Sequence, residues 1–250
     1  MANELGGVIY PIAFRELLPR VGFAWSVRIV AFIALGTLAI ALAVLRVRIR
    51  PPKRRLLFDV AAFKEPPFTL FTAGVFFGLM GVYIPGFYVQ NFAIQKNITD
   101  GNLATFLLPI LNAAGILGRL VPTFFADKLG PLNVLIPFTM MAALMVFIWI
   151  AVINTGGLIV FALFFGFSSS AIVALLPTVI ASLSPSLGVI GTRFGKSCSV
   201  ASLGLLIGTP ISGAILTNTG HFIGLQAFSG AILMVSAILF GATRYCQVGH

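Results

Sequence analysis

Long apolar runs recur along this chain, each ended by a short polar or basic break. The runs are Gly22 to Leu45, Phe68 to Phe92, Leu103 to Ala126, Leu132 to Ile153, Leu158 to Leu183, Cys198 to Thr217 and Phe222 to Thr243. Roughly 20 apolar residues suffice to cross a bilayer as a helix. Backbone groups in hydrocarbon must pair within their own segment, so runs of this kind predict helices. Leu5 to Leu18 is shorter, interrupted by Pro11, and carries Arg15 and Glu16. It reads as the end of a helix, not a span of its own. The pattern therefore predicts an all-α polytopic membrane protein.

The polar breaks set an orientation. Arg46 to Arg55 reads R-V-R-I-R-P-P-K-R-R, with six basic residues in ten and two prolines that forbid a continuing helix. Basic loops stay on the cytoplasmic side. With this loop inside, Lys64, Lys128, Arg193, Lys196 and Arg244 fall inside too, making eleven of the sixteen basic residues. Arg193 and Lys196 are expected in a loop that precedes Cys198. Lys96 falls outside, as do Arg15 and Arg20. Beside Lys96 stands Asn97-Ile98-Thr99, a glycosylation sequon in a polar loop from Ala93 to Asn102. Binding of anionic lipid heads follows from the basic run as an accompaniment to its topological role.

Composition agrees. Hydrophobic residues make up 59% of the chain and charged ones 9%, more apolar than a soluble domain of 250 residues requires. The net charge of +10 would suggest nucleic acid in a soluble protein, but here the charge sits between spans and no nucleic-acid partner is expected. Cys198 and Cys246 lie far apart without metal-ligand spacing or a disulfide framework. Residues 1–4 show no signal-peptide pattern. His221 and His250 lie in a loop and at the terminus, and no catalytic set, metal cluster or cofactor-binding loop emerges. The chemistry expected is that of a carrier, with no enzyme activity and no cofactor.

Two charges stand inside spans: Arg28, near one end of Gly22 to Leu45, where it can snorkel to the interface, and Arg119. Arg119 lies within Leu103 to Ala126, and an arginine in hydrocarbon is expensive unless it faces a protein interior or a watery cavity. Helical spacing puts Asn112, Gly115 and Arg119 on one face. A guanidinium there offers a planar fork suited to a carboxylate, although bonding to helix carbonyls would also hold it. Tyr83 and Gln90, in the second half of their span, are further candidates for solute contact, and Ser168-Ser169-Ser170 supply hydroxyls for a cavity. Asp127-Lys128-Leu129-Gly130 makes a tight turn, with Asp127 and Lys128 expected to bridge to a neighbouring helix end and to release as helices move. Gly204, Gly208, Pro210 and Gly213 form a packing motif of small residues with a kink.

The stretch G-R-L-V-P-T-F-F-A-D-K-L-G-P resembles the loop between the eighth and ninth helices of the major facilitator superfamily. More narrowly, it resembles fungal members of the monocarboxylate-transporter-like family. Further matches are G-G-V-I-Y-P at 6–11, G-F-A-W-S-V-R at 22–28, F-K-E-P-P-F at 63–68, L-N-A-A-G-I-L-G-R at 111–119, I-G-T-R-F-G at 190–195 and G-T-P-I-S-G at 208–213. The resemblance implies three parts. Residues 1–45 would be the remnant of an N-terminal bundle, with part of helix five and all of helix six. Residues 46–65 would be the central cytoplasmic loop, and 66–250 the C-terminal six-helix bundle, helices seven to twelve. It also implies that Arg119 matches the arginine that engages the substrate carboxylate in characterised monocarboxylate carriers. The aspartate one turn earlier in those carriers is Gly115 here, which points to a different or larger organic solute than lactate. A half of this kind presents one wall of the cavity, so either the gene product is longer or a second chain supplies the other half. The expected function is transport of a small organic solute across a membrane, with the plasma membrane as the expected place. The alternative is a non-transporting fragment that regulates a full-length carrier. A seven-helix receptor is disfavoured by the A-D-K-x-G turn.

Overall fold

The computed structural model describes residues 2–45, 65–186 and 188–248. The basic run Arg46 to Arg55, the rest of the loop through Lys64, and His250 lie outside the described residues. Eight helices follow in order: α1 (Ala2–Val44), α2 (Pro66–Val82), α3 (Ile84–Gln95), α4 (Gly101–Leu129), α5 (Pro131–Trp149), α6 (Thr155–Ser182), α7 (Ile190–Thr219) and α8 (Phe222–Val248). There is no strand among the described residues. With α2 and α3 read as one bent span, seven helical segments are long and apolar enough to cross a membrane. The chain is a multi-pass membrane protein.

Short turns force neighbouring helices antiparallel. One end of the bundle therefore gathers Glu65, Asp127, Leu183 and Arg193, and the other gathers Asn97, Trp149, Asn154 and His221. We call these the Glu65 end and the Asn97 end. Helix α2 packs along α8 and α7, α4 along α6, and α5 against both α6 and α8. An aromatic cluster packs near the Asn97 end. There Trp149 is fully buried, stacked on Phe161 with ring centres 5.2 Å apart and edge-on to Phe92 at 5.3 Å. The Asn154 side chain caps α6 by accepting from the Gly157 N–H at 2.7 Å, and the Thr155 hydroxyl donates to the Ile98 carbonyl at 2.7 Å.

Four expectations need correction. The Leu5 to Leu18 stretch is not interrupted at Pro11: α1 is helical through Pro11 and Pro19 and turns sharply only at Gly22 (φ 74°, ψ 171°). That φ suits glycine, whereas a side chain would be strained there. A proline inside a helix removes one donor and frees the carbonyl four residues back, and a neighbour can take up that carbonyl. Here Pro11 frees the Gly7 carbonyl, and the Asn112 amide of α4 donates to it at 3.2 Å. The span Phe68 to Phe92 is bent, because Pro85 cannot donate to the Gly81 carbonyl and the helix breaks at Tyr83. The Ser229 hydroxyl of α8 donates to that carbonyl at 2.9 Å. Arg193 and Lys196 are not in a loop but in the first turns of α7. Likewise Asp127, Lys128 and Leu129 still belong to α4, and Gly130 (φ 89°) alone makes the turn into α5.

Candidate functional site

A cavity of about 260 Å³ opens between α2–α3, α4 and α6. Its polar lining is Tyr83, Asn112, Arg119, Ser169 and Ser170, set among Val82, Phe87, Leu108 and Phe165. The shape follows from close helix contacts beside it. Gly118 of α4 lies on the Phe167 carbonyl of α6, and Gly166 of α6 lies on the Leu111 carbonyl of α4. Any Cβ at either place would collide with backbone, so α4 and α6 touch closely there, beside the cavity that Asn112 and Arg119 line.

Arg119 is half-buried and lines this cavity two turns from Asn112, as the one-face spacing requires. The Asn112 amide is already committed as donor to the carbonyls of Gly7 and Leu108, at 3.2 and 3.0 Å. What it can offer a solute is its carbonyl oxygen. Tyr83 stands at the α2–α3 joint with 37% of its surface exposed and lines the cavity. Gln90 is half-buried on α3 but lies outside the cavity lining. Of the three serines, Ser169 and Ser170 reach the lining. The Ser168 hydroxyl instead donates to the Phe164 and Phe165 carbonyls of its own helix.

At the Glu65 end the expected bridge is absent from Asp127 and Lys128. Both are exposed, with neither in an ion pair among the described residues, and the Lys128 ammonium lies 4.7 Å from the centre of the Phe124 ring one turn back. The end is bolted elsewhere. Arg193 is 2% exposed. Its Nη2 donates to the Glu65 carboxylate at 2.5 Å and its Nη1 to the Leu183 carbonyl at 2.8 Å, while its Cζ sits 5.1 Å from the Phe68 ring centre. One side chain thus joins the beginnings of α2 and α7 to the end of α6. Sequence reasoning treated Arg193 as a loop cation. The two halves of the pair stand in F-K-E-P-P-F and I-G-T-R-F-G, but neither stretch marks the contact.

The packing motif lies on the α2–α7 seam. Gly204 sits on the Phe76 carbonyl, Gly208 on the Met80 carbonyl, and Gly213 beside the Tyr88 hydroxyl, which donates to the Thr209 carbonyl at 3.2 Å. Pro210 is accommodated inside α7 without ending it. A second seam had no counterpart in the sequence reading: Ser229 and Ser236 of α8 donate to the Gly81 and Gly74 carbonyls of α2, at 2.9 and 2.7 Å. Asn97 is exposed in the turn after α3 with φ 50°, a left-handed conformation asparagine tolerates.

Comparison with solved structures gives this bundle of membrane helices the major facilitator fold. The structure aligns with a fucose:proton symporter from E. coli at a TM-score of 0.66 and 18% identity, over 87% of this chain and 54% of that one. In sequence the chain is 39% identical to the MFS-type transporter dbaD of Emericella nidulans, over 95% of its own length and 54% of the relative's. It is 40% identical to the aspyridones efflux protein apdF of the same organism, over 96% of its length and 49% of that protein's. The chain therefore spans about half the length of the curated relatives it matches. No protein-family model matches it.

Proposed function

We propose that this chain forms one wall of the solute cavity of a facilitator-type secondary carrier. The solute is a small organic anion, a monocarboxylate-like compound or an acidic secondary metabolite, carried by alternating access of two helix bodies. The observation that carries this reading is the guanidinium of Arg119 in a 260 Å³ cavity, amid apolar walls, with Tyr83, Asn112, Ser169 and Ser170 beside it. A charge at that depth is sustained by a polar cavity, and its forked donors match a carboxylate. That one relative is named for aspyridones efflux supports outward movement of a secondary metabolite. The facing wall belongs to a second helix body, whichever chain carries it. Asp127, Lys128 and Gly130, on the exposed Glu65 end, are placed to meet that body, and the Arg193–Glu65 bolt holds the near body together at the same end.

The test is Arg119→Ala in the functional carrier, with surface abundance held constant. Flux of carboxylated solutes should fall at least tenfold, and Arg119→Lys, which keeps the charge but loses the fork, should recover only part of it. Undiminished flux in Arg119→Ala removes the residue from the mechanism.

A second reading rests on the matched length: a non-transporting membrane fragment that associates with a full-length carrier. Reconstituted alone in liposomes, the chain would then carry no solute but would co-purify with a relative. Robust flux from the chain alone rejects it.

A further inference from the structure

A second chamber of about 180 Å³ lies against the first, toward the Glu65 end, between α2, α6 and α7. The two share two wall residues, Tyr83 and Val173. Along α6 the first chamber runs from Phe165 to Val173 and the second from Val173 to Ile180. Together they cover fifteen helical steps, about 22 Å of axis. The second chamber is apolar, lined by Leu79, Leu176, Ile180 and Ala201, with two exceptions on α7. Ser197 is 1% exposed, and its hydroxyl has no hydrogen-bond partner. It does not even donate to the carbonyl one turn back, as most serines in these helices do. Cys198 beside it is exposed. On the shared wall, Pro177 has no N–H to give the Val173 carbonyl, which leaves that acceptor without its usual helical partner. A buried hydroxyl without a partner is unfavourable, and this one stands in the chamber wall.

We infer that the two chambers form one elongated site for an amphipathic organic anion. The acid group sits at Arg119, and a rigid apolar body passes Tyr83 and ends in the second chamber beside Ser197. The combined space lies within the range of pockets that hold molecules larger than a simple monocarboxylate. This inference rests on the Arg119 reading above, and adds the length and polarity of the solute.

The test uses the full chain in detergent with Cys246→Ser, so that Cys198 is the remaining thiol, and two probes, benzoate and biphenyl-4-carboxylate. Binding is measured by equilibrium dialysis, and Cys198 exposure by the rate of N-ethylmaleimide labelling. Both probes should bind in a manner lost in Arg119→Ala. Biphenyl-4-carboxylate should bind about tenfold more tightly and slow Cys198 labelling at least fivefold, which saturating benzoate should not do. Filling the chamber with Ser197→Leu, or Ser197→Val if the larger change does not fold, should abolish the tenfold advantage and leave benzoate binding intact. Equal affinities with unprotected Cys198 overturn the second chamber while sparing Arg119. Protection that survives Arg119→Ala overturns the amphipathic assignment. Absence of any Arg119-dependent binding removes the first site, and this inference with it.

Discussion

Two side chains show how a helix with a proline is completed by its neighbours. The carbonyls that lose their usual helical donor at Pro11 and Pro85, those of Gly7 and Gly81, accept from Asn112 and Ser229. Each such bond is worth about 1 kcal/mol in a membrane bundle. Ser229→Ala should therefore lower the thermal unfolding midpoint in detergent modestly, and Ser229→Ala with Pro85→Ala should restore it, because the helix then satisfies its own carbonyl. A double variant no more stable than the single one would show that the bond is incidental. Arg193 is the harder case. A buried guanidinium keeps its place only while its donors are matched. Because Glu65 is about half exposed, its carboxylate is partly screened, and Glu65→Ala should cost about 1–2 kcal/mol, less than a fully buried pair would. Urea or thermal unfolding of the Glu65→Ala and Glu65→Gln chains measures it, with Gln expected to recover part of the loss by accepting one bond.

At the scale of helices, what decides the packing is where backbone meets backbone. Gly208 rests on the Met80 carbonyl and Gly118 on the Phe167 carbonyl, so Gly208→Val and Gly118→Val should each pry a helix pair apart and yield aggregated protein on size exclusion. Gly36→Ala and Gly241→Ala, with nothing within 4 Å, should leave the elution profile unchanged. Much at this scale was legible in advance. Span positions follow from apolar length, and the face shared by Asn112 and Arg119 follows from helical periodicity. The Gly204 and Gly208 seam follows from small residues four apart. The break at Tyr83 was foreshadowed by Pro85 but not located, because proline tells which carbonyl is freed and not whether the helix bends or a neighbour absorbs the loss. The same ambiguity hid the continuity of α1 through Pro11. The Arg193–Glu65 bolt was not legible, since its halves are 128 residues apart and nothing local distinguishes a bolted arginine from a solvated one. The α2–α8 serine seam escaped for the same reason: a hydroxyl in a membrane helix bonds equally well to its own turn.

At the scale of the molecule, alternation of helix direction ties every loop to one side or the other. Asn97 and the Glu65 end lie on opposite faces, so the orientation drawn from the basic run can be checked with the sequon alone. In a eukaryotic host the chain should carry a glycan that endoglycosidase removes and Asn97→Gln abolishes. A sequon placed instead in the turn at Gly130 should remain unmodified. Modification at Gly130 and not at Asn97 would invert the topology. Helix α1 adds a second large-scale feature, with Phe32, Leu38, Leu42 and other apolar side chains standing exposed, surfaces that only lipid or another helix body can cover. The joint at Tyr83 has the widest reach. Tyr83 lines both chambers and is also the residue at which the helix of that wall breaks. Solute size and the bending of that helix therefore meet at one residue. Exchanging that side chain to admit a new cargo would alter how readily the wall flexes, tying what is carried to how fast it moves.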